Sequence, residues 1–278
     1  MRRTLFLLLL ICSLSFRAGC QGTLSRSELG VMAGGVNYIG DLNSQRLDGR
    51  LNPGVGIMGR YNLDDRWAVS AHLFYGRVEG GDPDVERWRN LSFRSHILET
   101  SVRMEFTFVP FGSSGYRFRT SPYLFVGVGL FHFNPQGYYT NPLNGESEWV
   151  DLQPLHTEGQ GSDLYPSRVP YKLFQMCLPF GLGFKMALSK DVTLAVEYGY
   201  RMIWTDYLDD VSTTYVGSQL LGEGTVAAAM ADRSEQANAV GVQRGDDSLD
   251  DAYAYINLSV TFNMETLFGW MRSKRCLK

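Results

Sequence analysis

Between Leu98 and Phe108 the chain alternates with a period of two. Leu98, Thr100, Val102, Met104, Phe106 and Phe108 fall on one side, and Glu99, Ser101, Arg103, Glu105 and Thr107 on the other. Successive side chains of a strand point to opposite faces, so this segment carries one apolar and one charged face. The pattern recurs at 192–202, where Leu194, Val196, Tyr198, Tyr200 and Met202 oppose Thr193, Ala195, Glu197, Gly199 and Arg201. It recurs again at 254–262, with Ala254, Ile256, Leu258, Val260 and Phe262 against Tyr255, Asn257, Ser259 and Thr261. Four weaker strands are predicted at 54–62, 67–75, 122–133 and 174–187. In the first, Val55, Ile57 and Tyr61 oppose Met58 and Arg60; in the second, Trp67, Val69, Leu73 and Tyr75 oppose Ser70 and His72. In the last, Leu178, Phe180, Leu182 and Phe184 oppose Gly181, Gly183 and Lys185, while 122–133 is apolar on both faces. An eighth strand at 28–39 is expected to turn Met32, Val36 and Tyr38 outward, with its glycines leaving the register open.

After the first twenty residues no stretch reaches the ~18 consecutive apolar residues that a spanning helix needs. Strands can cross a bilayer only as a closed barrel, in which every ladder hydrogen bond is satisfied internally. The alternation then places the apolar set against lipid and turns Arg60, His72, Glu99, Arg103, Glu105, Lys185, Glu197 and Arg201 inward. An eight-stranded barrel is just wide enough for side chains to fill, so acids and bases mixed in this way predict a plugged polar lumen and no open pore. A soluble sandwich or lipocalin-like barrel would reverse the two faces. It would also have less reason for aromatics at strand ends, where Tyr61, Trp67, Tyr75, Phe106, Phe108, Tyr198 and Tyr200 fit interfacial girdles. Connection lengths agree with an even-stranded outer-membrane barrel whose N-terminus is periplasmic. Turns are predicted at 62–66, 109–121 and 188–191, and longer external connections at 40–53, 76–93, 134–173 and 205–251.

The chain's start explains how it would reach that membrane. Met1-Arg2-Arg3, an apolar run from Leu5 to Leu14 and Ala18-Gly19-Cys20 are the parts of a secretory signal peptide, 1–20, with the mature chain expected from Gln21. Ala18-Gly19-Cys20 also admits lipidation of Cys20, against which Arg17 argues. The barrel is assigned to 21–263 and a periplasmic tail to 264–278, so both termini lie in the periplasm. Among 278 residues, 26 are basic and 29 acidic, for a net charge of -3, which offers no basic face for nucleic acid. Hydrophobic residues make up 44 % and 30 residues are glycine, with no linker to suggest a second domain. Cys12, Cys20, Cys177 and Cys276 form no paired framework and no metal spacing, although export permits a Cys177–Cys276 disulfide.

Candidate chemistry is sparse, and no cofactor, metal or catalytic residue is assigned. His132 at a strand end and His156 in a loop could serve a lipid-modifying site on the outer rim. Ser162 or Ser167 would be the nucleophile and Glu158 or Asp163 the orienting acid, yet no spacing singles out such a set. Asp206-Tyr207-Leu208-Asp209-Asp210 lacks the alternating acids of a calcium loop and reads as a solvated strand end. The stretch 222–251, rich in Gly, Ala, Ser, Asp and Gln, is expected to be a mobile surface loop with helix possible over Thr225–Ala239. Beyond the last strand, Trp270, Arg272, Lys274 and Arg275 form a basic end that could touch a periplasmic partner.

Several stretches resemble the PorG-like outer-membrane barrels of the Bacteroidetes type IX secretion system. They are Tyr38-Ile39-Gly40-Asp41-Leu42-Asn43, Tyr123-Leu124-Phe125-Val126-Gly127-Val128-Gly129-Leu130-Phe131-His132-Phe133-Asn134-Pro135, Asp151-Leu152-Gln153-Pro154-Leu155-His156-Thr157-Glu158-Gly159-Gln160-Gly161, Pro179-Phe180-Gly181-Leu182-Gly183-Phe184-Lys185, and Thr205-Asp206-Tyr207-Leu208-Asp209-Asp210-Val211. The resemblance runs from about Glu28 to Phe262, and its loop motifs are more specific than its strands; the insert 222–251 departs from the pattern. It implies a non-enzymatic anchor for a periplasmic ring made of a PorK-like lipoprotein and a PorN-like partner. The loop residues Asp41, Asn43, Gln153, His156, Glu158, Asp206, Tyr207, Asp209 and Asp210 would then be its signature. The alternatives are a small structural barrel of the envelope and the rim enzyme.

Overall fold

The computed structural model describes residues 27–43, 51–82, 89–111 and 120–266. Its strands are β1 (Ser27–Ile39), β2 (Asn52–Asn62), β3 (Trp67–Gly81), β4 (Ser92–Thr107), β5 (Thr120–His132), β6 (Pro135–Thr140), β7 (Ser147–Asp151), β8 (Phe174–Ala187), β9 (Val192–Ile203) and β10 (Ala252–Asn263). Every pairing is antiparallel. β1 bonds to β2 and β10, and the ring continues through β9, β8, β5, β4 and β3 back to β2. Eight strands therefore close into an up-and-down barrel with no free edge. β6 and β7 form a separate hairpin hung on the end of β4, through Arg94 opposite Gln136 and Ser95 opposite Pro135.

The alternation sorts as the two faces require. Val55, Ile57, Leu73, Leu98, Val102, Leu124, Val126, Leu182, Val196, Ile256 and Leu258 are exposed on the outer wall, whereas Arg60, His72, Glu99, Arg103, Glu105, Lys185, Glu197 and Arg201 are buried inside. An apolar belt outside and charge inside is the arrangement of a membrane-spanning barrel. The inward glycines make room for the charges. Gly127 stands opposite Arg103, where a Cβ would meet the Arg103 Cγ at 2.9 Å and the Val102 carbonyl oxygen at 2.3 Å.

β1 is set one residue away from expectation. Met32, Val36 and Tyr38 face the interior and are buried, while Leu29 and Val31 lie outside. The reason is that one half of the lumen is apolar: Met32, Val36, Tyr38, Phe74, Val78, Phe93, Ile97, Phe131, Phe133 and Ile203 form a single cluster there, so hydrophobicity alone does not mark the lipid side. Gly34, also inward, approaches β10 so closely that a Cβ would lie 2.0 Å from the Ile256 carbonyl oxygen and 2.6 Å from the Asn257 Cα. Gly34→Val is expected to lower unfolding stability by about 1–3 kcal/mol or more, because backbone rather than a flexible side chain must give way. Urea titration of the barrel in detergent micelles measures this, and an unchanged midpoint would refute the close contact.

One end of the barrel carries the links 63–66, 108–119 and 188–191, and the other end 40–51, 82–91, 133–173 and 204–251. β3 and β4 run further than predicted, which leaves the 82–91 link no longer than 108–119. The tight turns follow from local side chains. Asp64 accepts from the backbone N–H groups of Arg66 and Trp67 at 2.8 and 2.7 Å, and Ser189 Oγ does the same for Asp191 and Val192 at 3.1 Å each. Tyr61, Trp67, Phe106 and Phe108 gather at the short-turn end, but Tyr198 and Tyr200 sit in the middle of β9 rather than in a girdle.

The long links hold structure that strand patterning missed. The β6–β7 hairpin turns at Asn141-Pro142-Leu143-Asn144-Gly145-Glu146 and pairs Tyr138 with Trp149, whose rings lie 5.2 Å apart. Within 204–251 there are two short helices, α1 (Ser218–Leu221) and α2 (Val226–Ala231), the second capped by Thr225 Oγ1 accepting from the Ala228 N–H at 3.2 Å. α2 stops well before Ala239. Asp232 there accepts instead from Ser234 and Asn238. The expectation of a mobile loop is corrected by Met230, Ala231 and Arg244, all buried. The signal peptide 1–20, Cys276 and the basic end with Trp270, Arg272, Lys274 and Arg275 lie outside the described residues. Cys177 is buried and free.

Candidate functional site

The charged part of the lumen is stacked in three layers. Nearest the short turns, the Arg60 guanidinium donates to Glu105 at 2.9 Å and to Glu28 at 3.1 Å, and Glu28 also accepts from Asn62 and Thr261. In the middle, Arg103 donates to both oxygens of Glu197 at 2.7 and 3.1 Å and to the Tyr255 hydroxyl at 2.9 Å. Its guanidinium lies 4.1 Å from the Phe125 ring centroid, and a ring nitrogen of His72 accepts a further hydrogen bond. Glu197 in turn accepts from the hydroxyls of Tyr123 and Tyr255. In the third layer Arg201 donates to Glu99 at 2.9 Å, as do the hydroxyls of Tyr253 and Ser101. Charges taken out of water are tolerable only when paired and hydrogen-bonded in this way.

Beyond the third layer comes the apolar cluster, and beyond that a cap built from 152–171 and 204–251. Its centre is Glu158, fully buried. Glu158 Oε1 accepts from Arg244 at 2.8 Å and from the Ser212 N–H at 3.0 Å; Oε2 accepts from the N–H and hydroxyl of Thr213 at 3.0 and 2.6 Å. Arg244 also donates to the carbonyls of Asp210 and Ala231, and its own carbonyl accepts from Arg89, whose guanidinium is held by Asp82. Asp210, with φ 67°, accepts from the hydroxyls of Thr157 and Tyr171 at 2.6 and 2.7 Å. The cap is fastened to the barrel rim at Tyr38. Its hydroxyl oxygen lies 2.5 Å from Asp209 Oδ2 and 2.9 Å from Asp251 Oδ1.

The loop residues singled out in the sequence therefore converge. Glu158, Asp206, Tyr207, Asp209 and Asp210 lie inside the cap, and Asp41 joins them by accepting from the Asp246 N–H at 2.7 Å. Tyr207 stacks on Tyr171 with 4.9 Å between centroids. At the margin, Asn43 donates to the Tyr38 carbonyl at 2.6 Å, Gln153 donates to the Tyr171 carbonyl at 3.2 Å, and His156 ends a 3-10 turn in the left-handed region, φ 50°. Asp206-Tyr207-Leu208-Asp209-Asp210 is not a solvated strand end: its three acids are buried, because the cap folds over them. Among the described residues no three His, Cys, Asp or Glu are arranged to hold a metal ion. The sequence pattern turned Tyr38 outward and did not single out Arg244 or Asp251. Arg244 was detectable as one of two bases, with Arg233, in a segment otherwise rich in Gly, Ala, Ser and Asp.

Desolvation dominates at four aspartates of the cap. It pushes the Asp206 carboxyl up to about 9 and that of Asp210 up to about 6, with Arg244 opposing the second shift. It raises Asp209 and Asp251 well above the usual carboxylate range. A cleft of 790 Å³ opens on the cap's surface beside Arg168, Tyr207, Thr213, Thr214 and Gln243. Much of its polar lining is already engaged in the cap, since Thr213 donates to Glu158 and Arg168 donates to the Glu158 carbonyl and to Thr214.

The two histidines of the rim hypothesis are placed apart in role. His132 is on the outer face of β5 with its ring 4.7 Å from that of Phe174, while His156 belongs to the cap. Among the described residues neither imidazole is hydrogen-bonded to Ser162, Ser167, Glu158 or Asp163, and Glu158 is committed to Arg244.

Comparison with solved structures returns small outer-membrane barrels. Neisserial surface protein A is 11 % identical over 87 % of this chain and 99 % of its own, with a TM-score of 0.41. OprG of Pseudomonas aeruginosa is 14 % identical over 88 % of this chain and 100 % of its own, TM-score 0.39. Ail, the attachment invasion locus protein of Yersinia pestis, is 13 % identical over 85 % and 96 %, TM-score 0.38. No curated protein matches the sequence. Residues 2–149 match the family model DUF6089, a domain of unknown function, a span that runs from the start of the chain to the β6–β7 hairpin and leaves most of the cap beyond it. With more than half of its length matched, this eight-stranded membrane barrel belongs to the DUF6089 family.

Proposed function

We propose that the chain is a non-enzymatic barrel of the bacterial outer membrane that anchors the periplasmic ring of a type IX secretion system. On this reading a signal peptide exports it, the short turns and both termini face the periplasm, and the long-loop cap faces outward. The observation that carries the reading is the sealed interior. Three layers of ion pairs, an apolar cluster and a buried cap fill the barrel from end to end, so its work must be done at its surfaces. The likeness of its loop motifs to PorG-like barrels supplies the partners, a PorK-like lipoprotein and a PorN-like ring protein, with outer-membrane lipid around the wall.

Affinity capture of the tagged barrel from mildly solubilised outer membranes, followed by mass spectrometry, tests this. Recovery of a periplasmic lipoprotein ring is the expected result. A barrel that comes down alone, in a strain whose deletion shows detergent sensitivity without a secretion defect, would replace the anchor by a structural envelope role. In planar bilayers the purified barrel is expected to give no stepwise conductance. Steady channel openings would remove the sealed-lumen premise itself.

A further inference from the structure

Tyr38, Asp209 and Asp251 present a problem in proton counting. The Tyr38 hydroxyl lies within hydrogen-bond distance of a carboxylate oxygen on each acid, yet it has one proton to donate. The remaining oxygens are taken: Asp209 Oδ1 accepts from the Val211 N–H at 2.8 Å and Asp251 Oδ2 from the Leu208 N–H at 2.9 Å. Among the described residues no cation is bonded to either acid, for the nearby Arg244 donates to Glu158 and to the carbonyls of Asp210 and Ala231. Both contacts can be full two-centre hydrogen bonds, rather than one phenol proton split between two carboxylates, only if one carboxyl keeps its proton and donates it to the phenol oxygen while the phenol donates to the other.

We propose that Tyr38, Asp209 and Asp251 form a shared-proton latch that closes the cap onto the barrel rim while the proton is held and releases it when the proton is lost. The position suits a latch. Tyr38 is the last residue but one of β1, Asp251 immediately precedes β10, and Asp209 lies in the link that β10 terminates, so the three residues join the cap to the strand pair β1–β10. The charged surroundings favour retention. Asp41 from the β1–β2 link adds negative charge, Asp206 from the same link as Asp209 adds its own only as pH rises toward about 9, Glu158 lies further off on the 152–171 side, and Arg244 offsets them. Loss of the proton to solvent leaves two buried carboxylates on one hydroxyl, where like charges repel.

The sign follows from the direction of the shifts. Acids whose folded values are raised stabilise the closed state fully below their ordinary range, and that stability is lost as pH rises through the folded values. Hydrogen exchange on the full-length protein in micelles, corrected for intrinsic rates, reads it: protection of 204–251 relative to β4 and β9 is expected to fall at least tenfold between pH 6 and pH 9. Asparagine supplies the donated N–H permanently, so Asp209→Asn or Asp251→Asn, whichever carries the proton, is expected to keep protection within twofold across that range. Asp206→Asn is expected to retain the tenfold loss. A flat wild-type profile, which requires no variant to fold, would overturn the proposal. So would a profile flattened by Asp206→Asn, or one that neither latch substitution changes, with β4 and β9 protection certifying a folded barrel in each case.

Discussion

Arg103→Met is expected to destabilise the barrel by about 3–5 kcal/mol, the range found when one partner of a buried ion pair is removed and the other charge is left behind. Methionine keeps much of the side-chain length against Phe125, so the loss is not chiefly one of volume. What it removes is both donors to Glu197, leaving that carboxylate with the hydroxyls of Tyr123 and Tyr255 and the more distant amide of Asn257. The double variant Arg103→Met/Glu197→Gln should recover a large part of the loss, because its second change removes the stranded charge. Reversible urea unfolding of Arg103→Met, of Glu197→Gln alone and of the double variant measures the coupling. If the single and double variants are equally unstable, packing around Arg103 rather than the ion pair holds the middle of the lumen.

Glu158→Gln should open the cap and spare the barrel. Oε1 meets only N–H donors, from Arg244 and Ser212, so a glutamine must keep its oxygen there and put its NH2 in place of Oε2; that NH2 then faces the Thr213 N–H, and only the Thr213 and Tyr207 hydroxyls could turn to accept from it. Arg244 is left buried with the carbonyls of Asp210 and Ala231 and a distant Asp210 carboxylate at 3.9 Å. An expected penalty of about 3–5 kcal/mol falls on the cap alone. Limited proteolysis should then cut within 204–251 at least a hundredfold faster, while the urea midpoint of the barrel moves little. Loss of both together would mean that barrel and cap fold as one cooperative unit, and an uncut cap would deny Glu158 its central place.

Period-two patterning made the eight strands legible because lipid imposes one rule on every outward residue. β8 begins and ends at the predicted residues 174 and 187, and β9 and β10 differ by a residue or two at their ends. The rule failed where its physical premise failed. In the half of the lumen next to the cap, packing replaces charge, so Met32, Val36 and Tyr38 are as apolar inside as Leu29 and Val31 are outside. The cap motifs were visible as unusual strings of residues, but their meaning was not. Glu158 and Arg244 are 86 positions apart, and Tyr38 and Asp251 are 213 apart, distances over which no local pattern carries information. The β6–β7 hairpin was readable in principle from Asn144-Gly145 between two aromatic runs, within what was predicted only as a long external connection over 134–173.

The layered charges also act on how the strands are aligned. Sliding β9 by two residues along its neighbours would keep every apolar side chain facing lipid, so the outer wall offers no resistance to such an error. The inner face does. β4 presents Glu99, Arg103 and Glu105, and β9 answers with Arg201 and Glu197 across the interior. A two-residue slip would bring Ala195 or Gly199 to the place of Glu197, leaving Arg103 without its carboxylate. β4 and β9 thus read each other as a two-symbol code, and only one alignment of the closed ring spells it correctly.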